Sequence, residues 1–186
     1  MASHRHDPEL LERFANLPTT EFRGEAFRAT RPSLHPLAPS TRGGRWLPPG
    51  TVGALYTSLN RDGAIAEIAH HWGLMTPPPT GPVVVHTLDV AIDRVIRLRP
   101  SDLEALGVAA AGYGQTNHPV TRTIGSAAAF IGLRGLIVPS ARWTCEHLVL
   151  FCDPPDIVPD TVRATARETV DWRAWAESRC NPPQPA

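Results

Sequence analysis

Four segments of the sequence place a charged or aromatic side chain directly beside apolar residues. These side chains are Arg28 after Glu-Ala-Phe, Arg45 in Gly-Gly-Arg-Trp, Tyr56 in Leu-Tyr-Thr-Ser, and Glu67 on a helix-like segment. An arginine fork suits phosphate and carboxylate ligands, and an aromatic ring offers a flat face. A carboxylate can hold hydroxyl groups and offset a developing positive charge. These residue types would suit a phosphate-bearing ligand with planar rings.

Each of the four also fits an ordinary structural role. Arg28 suits a surface arginine that covers Phe27, and Tyr56 suits a half-buried strand tyrosine. Glu67 lies about 60° outside the apolar arc of its predicted helix, where a solvated glutamate is usual. The Gly-Gly-Arg-Trp segment at 43–46 fits a tight turn under a core tryptophan as well as a loop that approaches a ligand. Taken singly, none of them decides between structure and chemistry.

The composition excludes several other kinds of site. All 18 basic residues are arginine, which excludes a Walker phosphate loop, Schiff-base chemistry and a lysine general base. They are balanced by 18 acidic residues, which argues against a dedicated nucleic-acid binder. His70 and His71 diverge by about 100° on a helix and cannot share a metal ion with Glu67, so no metal site is expected. Ser140 lacks the Gly-x-Ser-x-Gly elbow of a serine hydrolase.

The apolar pattern predicts a single α+β domain with a mixed β-sheet core and flanking helices, built from roughly six strands and four helices. Predicted helices cover residues 8–16, 61–72, 101–106 and 121–132. Predicted strands cover residues 26–28, 52–58, 83–90, 135–139, 147–152 and 162–166, with residues 95–98 as a further short strand. The proline- and glycine-rich residues 31–50 are predicted to form an ordered loop.

Nothing in the chain predicts export or membrane insertion. The N-terminal segment has no apolar h-region, and no stretch approaches the length of a membrane span. Cys145, Cys152 and Cys180 form no CxxC pair and leave one cysteine over, which favours a reducing compartment. We therefore expect a cytoplasmic protein.

Six short motifs occur in the order in which RES-domain proteins carry them. They are Phe-Arg at 27–28, Gly-Gly-Arg-Trp at 43–46, Leu-Tyr-Thr-Ser at 55–58, Ala-x-x-Glu at 64–67, Gly-Leu-Ile-Val-Pro-Ser at 135–140 and His-Leu-Val-Leu-Phe at 147–151. Each motif is weak, but six in register make chance improbable, and residues 22–175 resemble the RES-domain family. Residues 1–21 are then an N-terminal helical extension, and residues 176–186 a loose tail.

The resemblance implies a fold similar to that of ADP-ribosyltransferases. It also implies a toxin-type enzyme that consumes NAD and is neutralised by an Xre-like antitoxin. Arg28, Tyr56 and Glu67 match the positions that the family uses for NAD cleavage. Arg45 and Ser140 match further motif positions that line the same pocket. NAD is the substrate in this reading, and no separate cofactor is expected.

The chemistry of NAD cleavage gives each of these residue types a task. Breaking the nicotinamide bond leaves a cationic ribose, which Glu67 would hold and stabilise. Arg28 would bind the pyrophosphate with help from Arg45, and Tyr56 would stack on the nicotinamide or adenine ring. Ser140 would hydrogen-bond the ribose or the carboxamide.

Two positions depart from the usual family motifs. Leu47 and His147 stand where members commonly carry asparagine, which bears on the ribose contacts and the choice of acceptor. Trp46 and His147 complete the predicted substrate-binding set. The acceptor stays open between phosphate or water, which would degrade NAD, and a protein or small molecule, which would be ADP-ribosylated. A non-enzymatic binding module and a homo-oligomer also stay open.

Overall fold

The computed structural model describes residues 6–180, which form six strands and five helices. The strands are β1 (Thr20–Thr30), β2 (Gly53–Ser58), β3 (Val83–Arg97), β4 (Gly135–Pro139), β5 (Glu146–Cys152) and β6 (Val162–Val170). The helices are α1 (Pro8–Ala15), α2 (Arg61–Gly73), α3 (Pro100–Ala105), α4 (Pro119–Phe130) and α5 (Trp172–Cys180), with a 3-10 turn at Ala110–Gly112. The predicted α+β class with a mixed sheet is confirmed, with one helix more than expected.

The six strands form one mixed sheet that closes on itself. Their order is β1-β2-β5-β4-β3-β6, and β1 also pairs with β3. Only β3 and β4 run parallel, and the other pairs are antiparallel. Side chains from all six strands meet in an apolar centre that includes Ala26, Leu55, Leu88, Ile137 and Leu150. This closure brings β1 and β2 together at the pair Phe27–Ser58, close in the chain to the predicted site residues Arg28 and Tyr56.

Strand β3 is continuous, whereas the sequence predicted two strands over residues 83–90 and 95–98. Arg94, between the two predicted strands, adopts a positive φ of 54°. Strand β1 nevertheless pairs with β3 from Val84 through to Val95. The prediction was wrong because long-range pairing overrides a local polar interruption.

A second apolar core lies between the sheet and helices α1 and α4. Phe14, Trp46, Ile124 and Leu136 are each at most 2% exposed within it. Helix α1 begins as the sequence predicts, because the Asp7 carboxylate accepts a hydrogen bond of 3.0 Å from the backbone N–H of Glu9. This core holds the Gly-Gly-Arg-Trp segment against the helical side of the sheet.

Helix α5 contradicts the prediction that residues 176–186 form a loose tail. Residues 176–180 continue a helix that starts at Trp172, and residues 181–186 lie outside the described part of the chain. The Asp171 carboxylate caps the helix by accepting hydrogen bonds of 3.0 and 3.1 Å from the backbone of Arg173 and Ala174. Trp172 is buried at 7% exposure. An aspartate before a Trp-x-x-Trp spacing was therefore a usable helix signal.

None of the helices within residues 6–180 has the length and apolar character that crossing a bilayer requires.

Helix α4 approaches the Gly-Gly-Arg-Trp segment so closely that Gly125 has no room for a side chain. A Cβ at Gly125 would lie 1.7 Å from the carbonyl oxygen of Trp46. We expect Gly125→Ala to lower the free energy of unfolding by about 2 kcal/mol or more, because backbone cannot yield as a side chain can. Gly73→Ala is the matched control, since nothing lies within 4 Å of its added Cβ. Equal melting curves for the two variants would contradict this packing.

Candidate active site

One cleft of about 600 Å³ collects most of the predicted site residues. Helix α2, strands β1, β2 and β5, and the loop of residues 31–50 contribute to its walls. The predicted residues that line it are Arg28, Arg45, Trp46, Tyr56, Glu67 and His147. Its volume falls in the range of roughly 300–1,000 Å³ that is typical of small-molecule sites. Within the described residues, the lining contains three arginines but a single carboxylate, that of Glu67.

Arg28 projects from β1 and is fixed by the loop that follows this strand. Its Nη1 and Nη2 each donate a hydrogen bond of 2.7 Å, to the carbonyl oxygens of Pro36 and Ala38. Burial lowers the pKa of Arg28 to about 10, so it still carries its charge at neutral pH. No carboxylate among residues 6–180 forms an ion pair with it. A buried charge without a counter-ion favours the binding of an anion.

The Gly-Gly-Arg-Trp segment makes a tight turn against Tyr56. Gly43 has a φ of +76°, and a Cβ at Gly44 would lie 2.5 Å from the Tyr56 hydroxyl. The two glycines therefore make room for protein atoms, and their predicted role in approaching a ligand is not needed to explain them. Trp46 borders the cleft, but its side chain is only 2% exposed in the apolar core, so the predicted substrate contact through its ring is corrected to a role in the core. Leu47 is likewise buried at 1% exposure.

Arg45 extends from this turn toward residues 113–118. Its Nη1 donates to the carbonyl oxygen of Tyr113 and lies 3.4 Å from Nδ1 of His118. Its guanidinium stacks 5.1 Å from the centre of the Tyr113 ring. Burial lowers the pKa of Arg45. The side chain is thus held in place by neutral groups, which leaves its charge available to a ligand.

Tyr56 is held in the middle of β2, opposite Val149 of β5. Its hydroxyl is buried and has no hydrogen-bond partner of good geometry. Burial raises the pKa of Tyr56, although nearby backbone amides of Trp46 and Leu47 oppose that shift. Tyr56 therefore lines the cleft as a neutral phenol whose ring can pack on a ligand, while its buried hydroxyl lies against the glycine turn.

Glu67 enters the cleft from the second turn of α2 and lies between two histidines. Its carboxylate oxygens are 3.8 Å from Nε2 of His71 and 3.9 Å from Nε2 of His147. The Asn60 side chain caps the helix by accepting a hydrogen bond of 3.1 Å from the backbone of Gly63. Ile65, on the opposite side of the helix from the cleft, is fully buried. Anchoring of this kind fixes the direction in which Glu67 points.

Three lining residues from the segment before and within α4 were not predicted. These are Thr116, His118 and Arg122. The Arg122 Nε donates a hydrogen bond of 2.8 Å to the carbonyl oxygen of Gly44, which ties α4 to the turn. Burial, with nearby Arg45 and Arg122, lowers the pKa of His118 to about 4, so it is neutral at neutral pH. In the sequence, the spacing of one helical turn between His118 and Arg122 was the only sign that they share a surface. No spacing connects either residue to Glu67.

Ser140 is not among the residues that line the cleft, contrary to its predicted role in substrate binding. Its Oγ accepts hydrogen bonds of 3.1 Å from the backbone of both Arg142 and Trp143. The side chain therefore stabilises the turn that follows β4, where residues 140–144 surround a separate, open depression. A serine after a strand commonly makes such a turn, and the sequence motif alone does not distinguish this role from ligand contact.

The RES domain family matches residues 18–173. This chain belongs to the RES domain family. The matched range starts before β1 and ends in α5, so it contains every residue of the cleft. No curated protein matches the chain.

Among solved structures, the RES domain fold recurs in a toxin–antitoxin complex. The chain aligns with MbcT in the crystal structure of the M. tuberculosis MbcT–MbcA complex, at a TM-score of 0.80 and 22% sequence identity. The alignment covers 94% of this chain and 99% of the other. At this identity the match establishes the shared fold over nearly the whole RES domain chain.

Proposed function

We propose that this RES-domain protein cleaves the nicotinamide–ribose bond of NAD and acts as the toxin of a toxin–antitoxin pair. The observation that carries the proposal is the charge pattern of the cleft. The half-buried side chains of Arg28 and Arg45 have no carboxylate ion-pair partner among the described residues, while the carboxylate of Glu67 lies between two imidazoles. An anion-binding wall beside a single carboxylate suits a pyrophosphate substrate that develops positive charge on its ribose.

The reaction then divides between two parts of the cleft. The C–N bond between nicotinamide and the ribose breaks, and both bonding electrons stay on the nicotinamide nitrogen. Nicotinamide therefore leaves as a neutral molecule, and the ribose C1′ becomes cationic. Glu67 stabilises this cation through space and holds the ribose hydroxyls. Arg28 and Arg45 bind the pyrophosphate, and Tyr56 packs against a ring of the substrate. Phosphate or water then adds to C1′, with loss of a proton.

The product of the reaction identifies the acceptor. Purified protein is incubated with NAD, with and without inorganic phosphate, and the mixture is analysed by mass spectrometry. We expect nicotinamide together with ADP-ribose or its 1-phosphate. ADP-ribose attached to a protein would identify a mono-ADP-ribosyltransferase instead, and NAD bound without nicotinamide release would identify a binding module.

Removal of metal ions should leave this activity unchanged. The leaving group departs neutral, so no Lewis acid is needed for the step described. Among residues 6–180, no group of three histidine, cysteine, aspartate or glutamate side chains has the geometry of a metal site. We expect the rate of nicotinamide release to be equal with and without EDTA. A rate lost to EDTA and restored by zinc or magnesium would contradict this expectation.

The proposed toxin needs a neutralising partner, since NAD is required by the cell that makes it. MbcT is solved in complex with MbcA as a toxin–antitoxin pair, and we propose an Xre-like antitoxin for this chain in the cytoplasm. A segment that covers the cleft could place an acidic side chain or a chain carboxylate against Arg28 or Arg45. Such a contact would occupy the anion-binding wall in place of the NAD phosphates.

A further inference from the structure

His147 and His71 differ sharply in their relation to Glu67. The His71 side chain is 66% exposed and lies one turn along the same helix, whereas that of His147 is 16% exposed and comes from the start of β5. Water can replace His71 around the carboxylate. It cannot easily replace His147, whose Nε2 is fully buried.

The Nε2 atom of His147 also lacks a hydrogen-bond partner. Its distance of 3.9 Å from Glu67 Oε1 exceeds a hydrogen bond of about 2.7–3.2 Å by about 0.7–1.2 Å. The backbone of His147 is fixed between Ser58 of β2 and Val138 of β4. Closing the gap therefore falls to the Glu67 side chain, which has to move by about 1 Å. Hydrogen bonds in active sites commonly shorten in this way when substrate binds.

We infer that His147 is a positioning residue for Glu67, whose carboxylate it holds toward the ribose by donating a hydrogen bond from Nε2. The inference rests on the proposed cleavage of NAD. It assigns to His147 an action through Glu67, and not the direct substrate contact that the sequence motif suggested. Leaving Nε2 unpaired in a buried position would cost free energy, and the hydrogen bond removes that cost.

The charge state of His147 decides whether this contact helps the reaction. The charged groups that act on it are Glu67 from α2 and Arg45 from the glycine turn, and His71 contacts the same Glu67 carboxylate. Burial lowers the pKa of His147, Glu67 opposes that shift and Arg45 adds to it. A neutral imidazole orients the carboxylate and leaves its charge to the ribose. On acidification, His147 gains a proton and its positive charge competes with the ribose for Glu67, so activity should fall.

Kinetics of three variants test the positioning role. We expect His147→Ala to lower kcat about tenfold with KM within about twofold, the loss expected for a hydrogen bond to a charged group. His147→Asn keeps a donor that does not titrate, so kcat should recover to within about threefold and the acid limb of the pH profile should move to lower pH. His6→Asn, outside the cleft lining, is the matched control. A kcat of His147→Ala within twofold of wild type, or an unmoved acid limb in His147→Asn, would overturn the inference.

A titration that needs no activity separates this inference from the proposed function. The pKa of His147 is measured by NMR in wild type, Glu67→Gln and the control Glu104→Gln, whose carboxylate is exposed on α3. Loss of the Glu67 charge should lower the pKa of His147, and loss of the Glu104 charge should leave it unchanged. Equal His147 titrations in all three proteins would refute the pairing. A wild-type protein that releases no nicotinamide but shows the shift would refute the proposed reaction alone.

Discussion

Glu67→Gln should lower NAD turnover by about a hundredfold or more while the protein stays folded. The expected size is that of losing one preorganised electrostatic contact in an active site. Glutamine keeps the shape of the side chain but removes the negative charge that we propose to stabilise the ribose cation. Among the described residues the Glu67 carboxylate makes no hydrogen bond, and its contacts to His71 and His147 are 3.8 and 3.9 Å long, so we expect the fold not to depend on it.

The control for this variant is another protein that lacks a single carboxylate, at a position away from the cleft. Glu104→Gln removes the same charge from an exposed position on α3, outside the cleft lining. Melting temperatures and rates of nicotinamide release are measured for both variants. Turnover of Glu67→Gln within a few-fold of wild type, at an unchanged melting temperature, would remove Glu67 from the reaction.

Arg28→Ala should relieve the toxicity of the protein in cells. Expression of the wild-type chain alone is expected to arrest growth and deplete NAD, because nothing then covers the cleft. The variant lacks the charge that we propose to bind the pyrophosphate, so both effects should disappear. It also removes two hydrogen bonds of 2.7 Å to Pro36 and Ala38, which makes the soluble amount of the variant part of the measurement.

Two further variants separate loss of charge from loss of fold. Arg28→Gln keeps hydrogen-bond donors for the loop but carries no charge, and it should relieve toxicity as Arg28→Ala does. Arg163→Ala, exposed on β6, should remain as toxic as wild type. Wild-type protein that accumulates in folded form and leaves cellular NAD unchanged would contradict the toxin assignment.

The sequence was sufficient for the parts of the site that lie within local motifs. Arg28, Tyr56 and Glu67 each stand in a recognisable strand or helix, and the structure brings all three to one cleft. Short apolar runs also predicted β2, β4 and β5 to within one residue at each end. These features depend on neighbours in the chain, so local periodicity is enough to find them.

Features that depend on distant contacts were missed or misread. Ser140 and Trp46 stand in motifs, yet the one caps a turn and the other fills the core. Arg122 reaches the cleft only because Gly125 allows α4 to touch the glycine turn. Strand β3 continues because β1 lies alongside it. For Trp46, Arg122 and β3 the deciding partner is far away in sequence, where no periodicity of one segment can indicate it. Ser140 instead bonds to its own neighbours in the chain, a role that its motif does not distinguish from ligand contact.

Release of nicotinamide from NAD by the purified wild-type protein tests the central claim most directly. The concentrations of NAD and nicotinamide are followed together by mass spectrometry over many enzyme equivalents of substrate. The account predicts one nicotinamide released for each NAD consumed, continuing through multiple turnovers without any added metal. Intact NAD after prolonged incubation with folded protein, or NAD lost without matching nicotinamide, would contradict it.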